Sequence, residues 1–228
     1  MDHNLLSEEK GGWGYFVLRQ FHSITGLFLL GLFLWLHLAT HLFILRGEEA
    51  YIQALSFIFH LPYLDLWRVL LVWLPLIFHI SMGCYIISRA SFRLSCPNSL
   101  GNWLYFFQRL SALIALMFLA YHIAYVKLAA PVDLVDATAR ARWMLEHLKR
   151  HLEKAEVFGL YLVGIGALVF HYVNGIRLFC LRWGLVSSST SRKILLGICG
   201  GIGGLMFWLW LEILLRFHLH REYLKAVI

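Results

Sequence analysis

Four histidines lie inside long apolar stretches of this chain: His37, His79, His122 and His171. A polar ring in hydrocarbon costs free energy unless it is hydrogen-bonded, paired or functional. One such histidine is explained by a bond to a backbone carbonyl; four on four separate stretches are not. His79 and His171 share a local pattern. Phe78-His79 is followed by Gly83 and Arg89, and Phe170-His171 by Gly175 and Arg182. His37 and His122 match more loosely, with Gln20 and Ser23 before the first and Gln108 and Ser111 before the second. Neutral imidazole is a suitable axial ligand for haem iron, which takes two nitrogens from opposite faces of the porphyrin. Helix bundles build such sites from facing side chains. The chemistry expected is bis-histidine ligation of two haems b. Gly83 and Gly175 lie one helical turn from their histidines, on the same face, where a missing side chain would admit a flat macrocycle. Close helix packing is the alternative use of those glycines.

The elements that must position these side chains follow from composition and patterning. The chain has 228 residues, 60% hydrophobic and 14% charged, with mean hydropathy +0.70. Globular domains run at roughly 45–50% apolar and about 25% charged. A disordered chain, a collagen-like repeat and an ordinary soluble domain are excluded. Five stretches reach the roughly 20 apolar residues of a spanning helix: Phe21–Leu45, Leu66–Ser88, Trp103–Val126, Val157–Leu181 and Ile194–Phe217. The expected fold is an all-α membrane protein. A five-helix transmembrane domain spans 21–217, an N-terminal segment 1–20 precedes it, and a C-terminal tail 218–228 follows. In the connection 127–156, Ala141, Leu145, Leu148 and Leu152 recur at helical spacing. They predict a surface helix between spans three and four, lying at the membrane interface.

The connections 89–102 and 182–193 carry Arg89, Arg93, Arg182, Arg192 and Lys193 and no acid. They lie on the same side as the N-terminus, which the positive-inside rule assigns to the cytoplasm. The same rule accounts for the net charge of +7, so no nucleic-acid partner is expected. Cys84, Cys96, Cys180 and Cys199 form no C-x-x-C, which leaves no zinc, iron–sulfur or c-type haem motif. His79 and His171 fall past the midpoints of inward-running spans, His37 and His122 past those of outward-running ones. At about 1.5 Å per residue the first pair lies nearer the cytoplasm and the second nearer the outside. His41, one turn from His37, is a rival outer ligand without a counterpart in span three. His147, His151 and His218 fall in polar segments and call for no special role, and His60 lies in an outer loop.

In this order and spacing the chain resembles the five-helix, two-haem cytochrome b subunit of succinate dehydrogenase and fumarate reductase. The likeness runs from about Arg19 to the end of span five. It is carried by F-H-S-I-T-G at 21–26, L-P-L-I-F-H at 74–79 with Gly83, F-F-Q-R-L-S at 106–111, and F-H-Y-V-N-G at 170–175 with R-W-G at 182–184. The resemblance implies His79 with His171 at the haem nearer the cytoplasm and His37 with His122 at the outer haem. It places His22, Ser23 and Arg182 near the inner propionates, and Arg109 is a further basic candidate on that side. It also implies a membrane anchor in a bacterial cytoplasmic membrane, with a flavoprotein subunit and an iron–sulfur subunit on the cytoplasmic face and a higher oligomer as an option. Electrons would pass between the iron–sulfur subunit and a membrane quinone, menaquinone in the commonest case. No dicarboxylate active site is expected on this chain. Candidates for the quinone site are Asp65, Trp67 and Arg68 at the outer mouth of span two and Glu212 in span five, for which a salt bridge to Arg216 is the competing role. The rival readings are a cytochrome b of a hydrogenase or formate dehydrogenase, a haem-free transporter or proton channel using a histidine relay, and an anchor that has lost its haem.

Overall fold

A computed structural model describes residues 13–89, 100–128 and 136–219. The terminal segments expected to be polar, Arg93 and Cys96 therefore fall wholly or partly outside the described residues. Among those described there is no strand. Five helices are long and apolar enough to cross a membrane. They are α1 (Trp13–Arg46), α3 (Leu64–Arg89), α4 (Leu100–Leu128), α6 (Ala155–Arg182) and α7 (Ser189–His218). Each begins a few residues before its apolar stretch, because the aromatic and polar residues of the interface continue the helix. Two shorter helices, α2 (Glu48–Phe59) and α5 (Ala137–Leu152), stand at the end opposite the N-terminus.

Local chemistry sets the boundaries. Gly47 ends α1 and opens α2 at φ +113°, a backbone conformation suited to glycine. Asp136 caps α5 by accepting from the Ala139 amide at 2.6 Å, and Ser188 caps α7 by accepting from Ser191 at 3.0 Å. Two spans widen into π-turns, at Thr25–Leu30 in α1 and Val69–Trp73 in α3. In α3 the Leu74 amide bonds Val69 O, five residues back. Pro75 follows immediately, and its ring cannot sit in a regular ladder. The two π-turns pack on each other.

The bundle is apolar outside as well as inside. Leu36, Ile77, Val163, Met117 and Leu205 all face outward and exposed, which suits lipid rather than water. Its main seams are α4 on α6 and α6 on α7. A Cβ on Gly164 would overlap the Phe118 ring, and one on Gly203 would come 3.1 Å from Val173, so small residues set the closeness of both seams.

The helix expected between spans three and four is present as α5, with a correction to its surroundings. Its apolar face is covered by protein, not lipid. Ala141, Leu145, Leu148 and Leu152 are buried, packed with Tyr51, Ile52 and Leu55 of α2. Helix α2 was read only as a connection. Its signals were Glu48 and Glu49 in the first turn and apolar residues at helical spacing. Lys149 ties the two helices through Glu48 at 2.8 Å, and Arg142 reaches Glu49 at 3.5 Å. His218, from the end of α7, reaches Leu152 O at 2.8 Å.

His151 also departs from expectation: it is buried, stacks on Tyr125 and lies 3.1 Å from the Tyr121 hydroxyl. Burial lowers its pKa from 6.5 to about 4, helped by the nearby His147 and Lys154. The unfolded chain therefore binds a proton between those values that the folded chain does not. The stability that this histidine contributes is complete above about pH 6.5 and drains away as pH falls toward 4. The melting temperature of the purified protein should drop between pH 7 and pH 5, and the drop should be smaller in His151→Phe.

Candidate functional site

Two imidazole centres lie at different depths in the bundle. Toward the N-terminal end, His79 of α3 and His171 of α6 face each other, with ring centroids 6.3 Å apart and planes at 89°. Toward the other end, His37 of α1 and His122 of α4 do the same at 6.1 Å and 76°. The four histidines singled out in the sequence are thus brought together in the two expected pairs.

The separations have a physical meaning. A metal–imidazole bond is about 2 Å long, and a ring nitrogen sits about 1.1 Å from its own centroid, so two imidazoles on opposite sides of one metal hold their centroids about 6 Å apart. The interplanar angle is free, because each ring turns about its metal–nitrogen bond. Among the described residues no group of three or more His, Cys, Asp or Glu side chains forms a metal cage. Each pair instead offers two nitrogens, the number that an iron already held by four porphyrin nitrogens still requires. The donor set fits haem.

The Nδ1 contacts support the same use. His79 Nδ1 donates to the His22 carbonyl at 3.0 Å. His171 Nδ1 lies 3.2 Å from the Gln108 carbonyl and 3.1 Å from the Gln108 side-chain nitrogen, which also donates to His171 O at 3.1 Å. His122 Nδ1 lies 3.1 Å from the Tyr161 hydroxyl. With Nδ1 carrying the proton, Nε2 keeps its lone pair for a metal. His37 is held by rings instead, 5.5 Å from Phe33 and 5.7 Å from Trp210.

Rival imidazoles are placed differently. His41 lies 4.5 Å from His37, too close for a metal between them, and its Nδ1 meets the Tyr51 hydroxyl at 3.0 Å. His22 stacks on His79 at 3.9 Å and 15°, beside it rather than across from it. The His22 Nδ1 atom is buried without a hydrogen-bond partner, as are Gln20 Oε1 and Arg19 Nε. Arg19 Nε is a donor open to an acceptor group, Gln20 Oε1 is open to a donor, and His22 Nδ1 serves either role by tautomer.

Other sequence candidates are scattered. Ser23 bonds back to Gln20 O at 2.9 Å, and Arg182 lies within electrostatic range of His22. Arg109 bonds the Tyr105 hydroxyl and lies over the Tyr105 ring. Asp65 pairs with Arg68 at 2.9 Å, and Trp67 is exposed. Glu212 is half-buried, and the expected bridge to Arg216 does not form; Arg216 instead lines a small cavity with Gly47, Glu48 and Lys149. Segment 64–68 and α7 form no substantial packed interface, so the structure does not gather these four residues into one site.

Gly83 and Gly175 prove less crowded than Gly26 and Gly31. A Cβ on Gly83 would meet His22 at 3.4 Å, and one on Gly175 would meet Gln108 at 3.9 Å. A Cβ on Gly26 would run into the His79 ring, and one on Gly31 would lie 2.6 Å from the Tyr172 ring. Sequence reasoning missed Gly26 and Gly31, and the role of Gln108. Gly26 closes the F-H-S-I-T-G run, and Gln108 recurs with Gln20 before each outer-pair histidine, so the signals existed.

Comparison with known proteins gives the chain a family. Residues 87–211 match the family described as Succinate dehydrogenase/Fumarate reductase transmembrane subunit, a stretch that holds His122 and His171, one member of each pair. The chain is also 30% identical over 179 residues to the succinate dehydrogenase cytochrome b558 subunit of Bacillus subtilis (strain 168), covering 78% of this chain and 85% of that one.

Gly26→Leu is expected to push His79 aside and remove the absorption of a haem bound at the inner pair, leaving that of the outer pair. Gly14→Leu, where a Cβ meets nothing within 4 Å, should leave both. Reduced-minus-oxidised spectra of the two purified variants make the comparison.

Proposed function

The chain belongs to the transmembrane-subunit family of succinate dehydrogenase and fumarate reductase, and from that membership we propose that it binds two haems b, the inner through His79 and His171 and the outer through His37 and His122. The observation that carries this reading is the pair of centroid separations, 6.3 Å and 6.1 Å, each the spacing of two imidazoles across one iron. Membership in the family makes the protein an integral membrane cytochrome b anchor, with flavoprotein and iron–sulfur partners. The five spans agree with that membrane placement.

The chemistry supplied at the two centres is one-electron transfer by haem iron, linking an iron–sulfur partner on the cytoplasmic side to quinone, menaquinone by resemblance. The chain's own residues hold and insulate these centres. The His22 and Gln108 carbonyls fix the inner rings, and Tyr161 fixes His122. The orphaned His22 Nδ1, with Arg182 in range, offers polar contacts for inner propionates. The N-terminal end is assigned to the cytoplasm because the connections 89–102 and 182–193 on that side carry Arg89, Arg182, Arg192 and Lys193 and no acid. Quinone is assigned to the outer pair, with either Glu212 or the separate group Asp65, Trp67 and Arg68 as candidate contacts, since the four do not form one site. A carboxylate in a span is a group able to deliver protons to quinone oxygens.

His122→Leu tests the arrangement. Co-purified with its flavoprotein and iron–sulfur partners, the variant should keep the inner haem, reducible by succinate, and lose the outer one together with quinone-linked turnover. A variant that retains both haem bands would remove the ligand assignment. Full quinone reductase activity without the outer haem would move the quinone site to the inner side.

A further inference from the structure

An apolar groove of about 360 Å³ lies between α6 and α7, in the half of the bundle that carries the N-terminus. Gly200, Gly203 and Gly204 of α7 form its floor, Val173 lies on its wall, and Asn174 and Arg177 make its polar end. The neighbouring Ile198, Leu205 and Val163 are exposed apolar side chains. The groove therefore opens onto lipid, not water.

Arg177 is the unusual member. It lies five residues before the end of α6, or about 7.5 Å below that end at helical rise. Its Nε donates to Asn174 Oδ1 at 2.8 Å. Asn174 is fixed in turn, donating to Gln108 Oε1 at 2.8 Å and to Leu104 O at 3.1 Å. A guanidinium has five N–H donors, and no ion pair satisfies the rest among the described residues. No Asp or Glu occurs anywhere in α4, nor between Val157 and Leu211. The three helices around this charge supply no carboxylate within the groove. A cation at this depth is expensive unless it is paired, and its anchored Nε hinders it from snorkelling freely to water.

We propose that the groove binds one anionic phospholipid, with an acyl chain along the glycine face of α7 and its phosphate on Arg177. Length fits: from Arg177 to Gly166 the groove follows α6 for eleven residues, about 16 Å at helical rise, and it runs from the interface toward the bilayer midplane. Charge fits as well, because a guanidinium takes phosphate through paired N–H donors. A neutral quinone would accept a hydrogen bond there and leave the positive charge uncompensated. Pre-organisation by Asn174 and Gln108 lowers the ordering cost of binding. The assignment to the cytoplasmic leaflet rests on the orientation proposed above; the site itself needs only the membrane.

The test uses the complex purified with its partner subunits in mild detergent, its retained lipids counted by native mass spectrometry. The variants are Arg177→Gln, Arg177→Lys and Gly200→Leu. A Cβ on Gly200 meets nothing within 4 Å, so the leucine occupies the groove in place of an acyl chain without a clash. Wild type should hold about one anionic phospholipid per chain that Arg177→Gln and Gly200→Leu lose, with occupancy at least about tenfold lower, while Arg177→Lys keeps a part. After delipidation, phosphatidylglycerol should restore the bound species and phosphatidylcholine should not. Unchanged haem bands in Gly200→Leu show that the bundle is intact, which keeps the test valid if Arg177→Gln assembles poorly. Equal lipid retention in wild type and Gly200→Leu overturns the proposal. So does loss of a neutral lipid or a quinone in place of the anionic species, or a change of oligomeric state that marks the groove as a contact between copies.

Discussion

Every imidazole placed in hydrocarbon must have its nitrogens accounted for, and the rest of this bundle is arranged around that requirement. Three Nδ1 contacts cross from one helix to another. His79 ties α3 to α1 through the His22 carbonyl, His171 ties α6 to α4 through Gln108, and His122 ties α4 to α6 through Tyr161. These bonds knit α1 with α3 and α4 with α6 into two two-helix units. The facing pairs then join unit to unit, His79 to His171 and His37 to His122. Nδ1 of three of the four histidines is spent on these contacts, which leaves their Nε2 atoms uncommitted.

Close approach of backbone to ring makes this possible. Gly26 lies against His79 within a π-turn, and Gly31, just after it, lies against Tyr172. The π-turn of α3 packs on that of α1 and accommodates Pro75 two residues beyond it. Irregular helix of this kind recurs at functional sites, and here it borders the inner pair. A leucine at Gly164 would instead disturb the α4–α6 seam, and one at Gly203 the α6–α7 seam.

Much of this was legible in the sequence because both hydrophobic length and intramembrane histidine are strong signals. The five spans and the choice of four histidines follow from them, and the helix between spans three and four from the helical spacing of Ala141, Leu145, Leu148 and Leu152. What was not legible has a common cause. Helix α2 is short and sits outside hydrocarbon, so a search for long apolar runs passes over it. The covering of α5, the burial of His151 and the absence of a Glu212–Arg216 bridge all depend on which chain segment lies opposite. Spacing along one helix cannot report that. Gly26 looked like any packing glycine until the position of His79 was known.

The two ends of the bundle are built on different principles, and the difference bears on the outer pair. At that end α2 and α5 close over the spans, and polar side chains inside the closure pair with one another. His41 meets Tyr51, and His151 meets Tyr121. Burial holds the Tyr51 phenol above its ordinary pKa and the His151 imidazole below its own. Both groups are therefore neutral at physiological pH, and the charges of the cap stay at its rim, where Lys149 meets Glu48 and Glu146. A charge buried beside a redox centre shifts its potential, and one that titrates would shift it with pH. A cap in which Tyr51 and His151 are neutral and hydrogen-bonded would keep both effects away from a redox centre held at the outer pair, while His147 Nε2 of the same cap is buried without a partner.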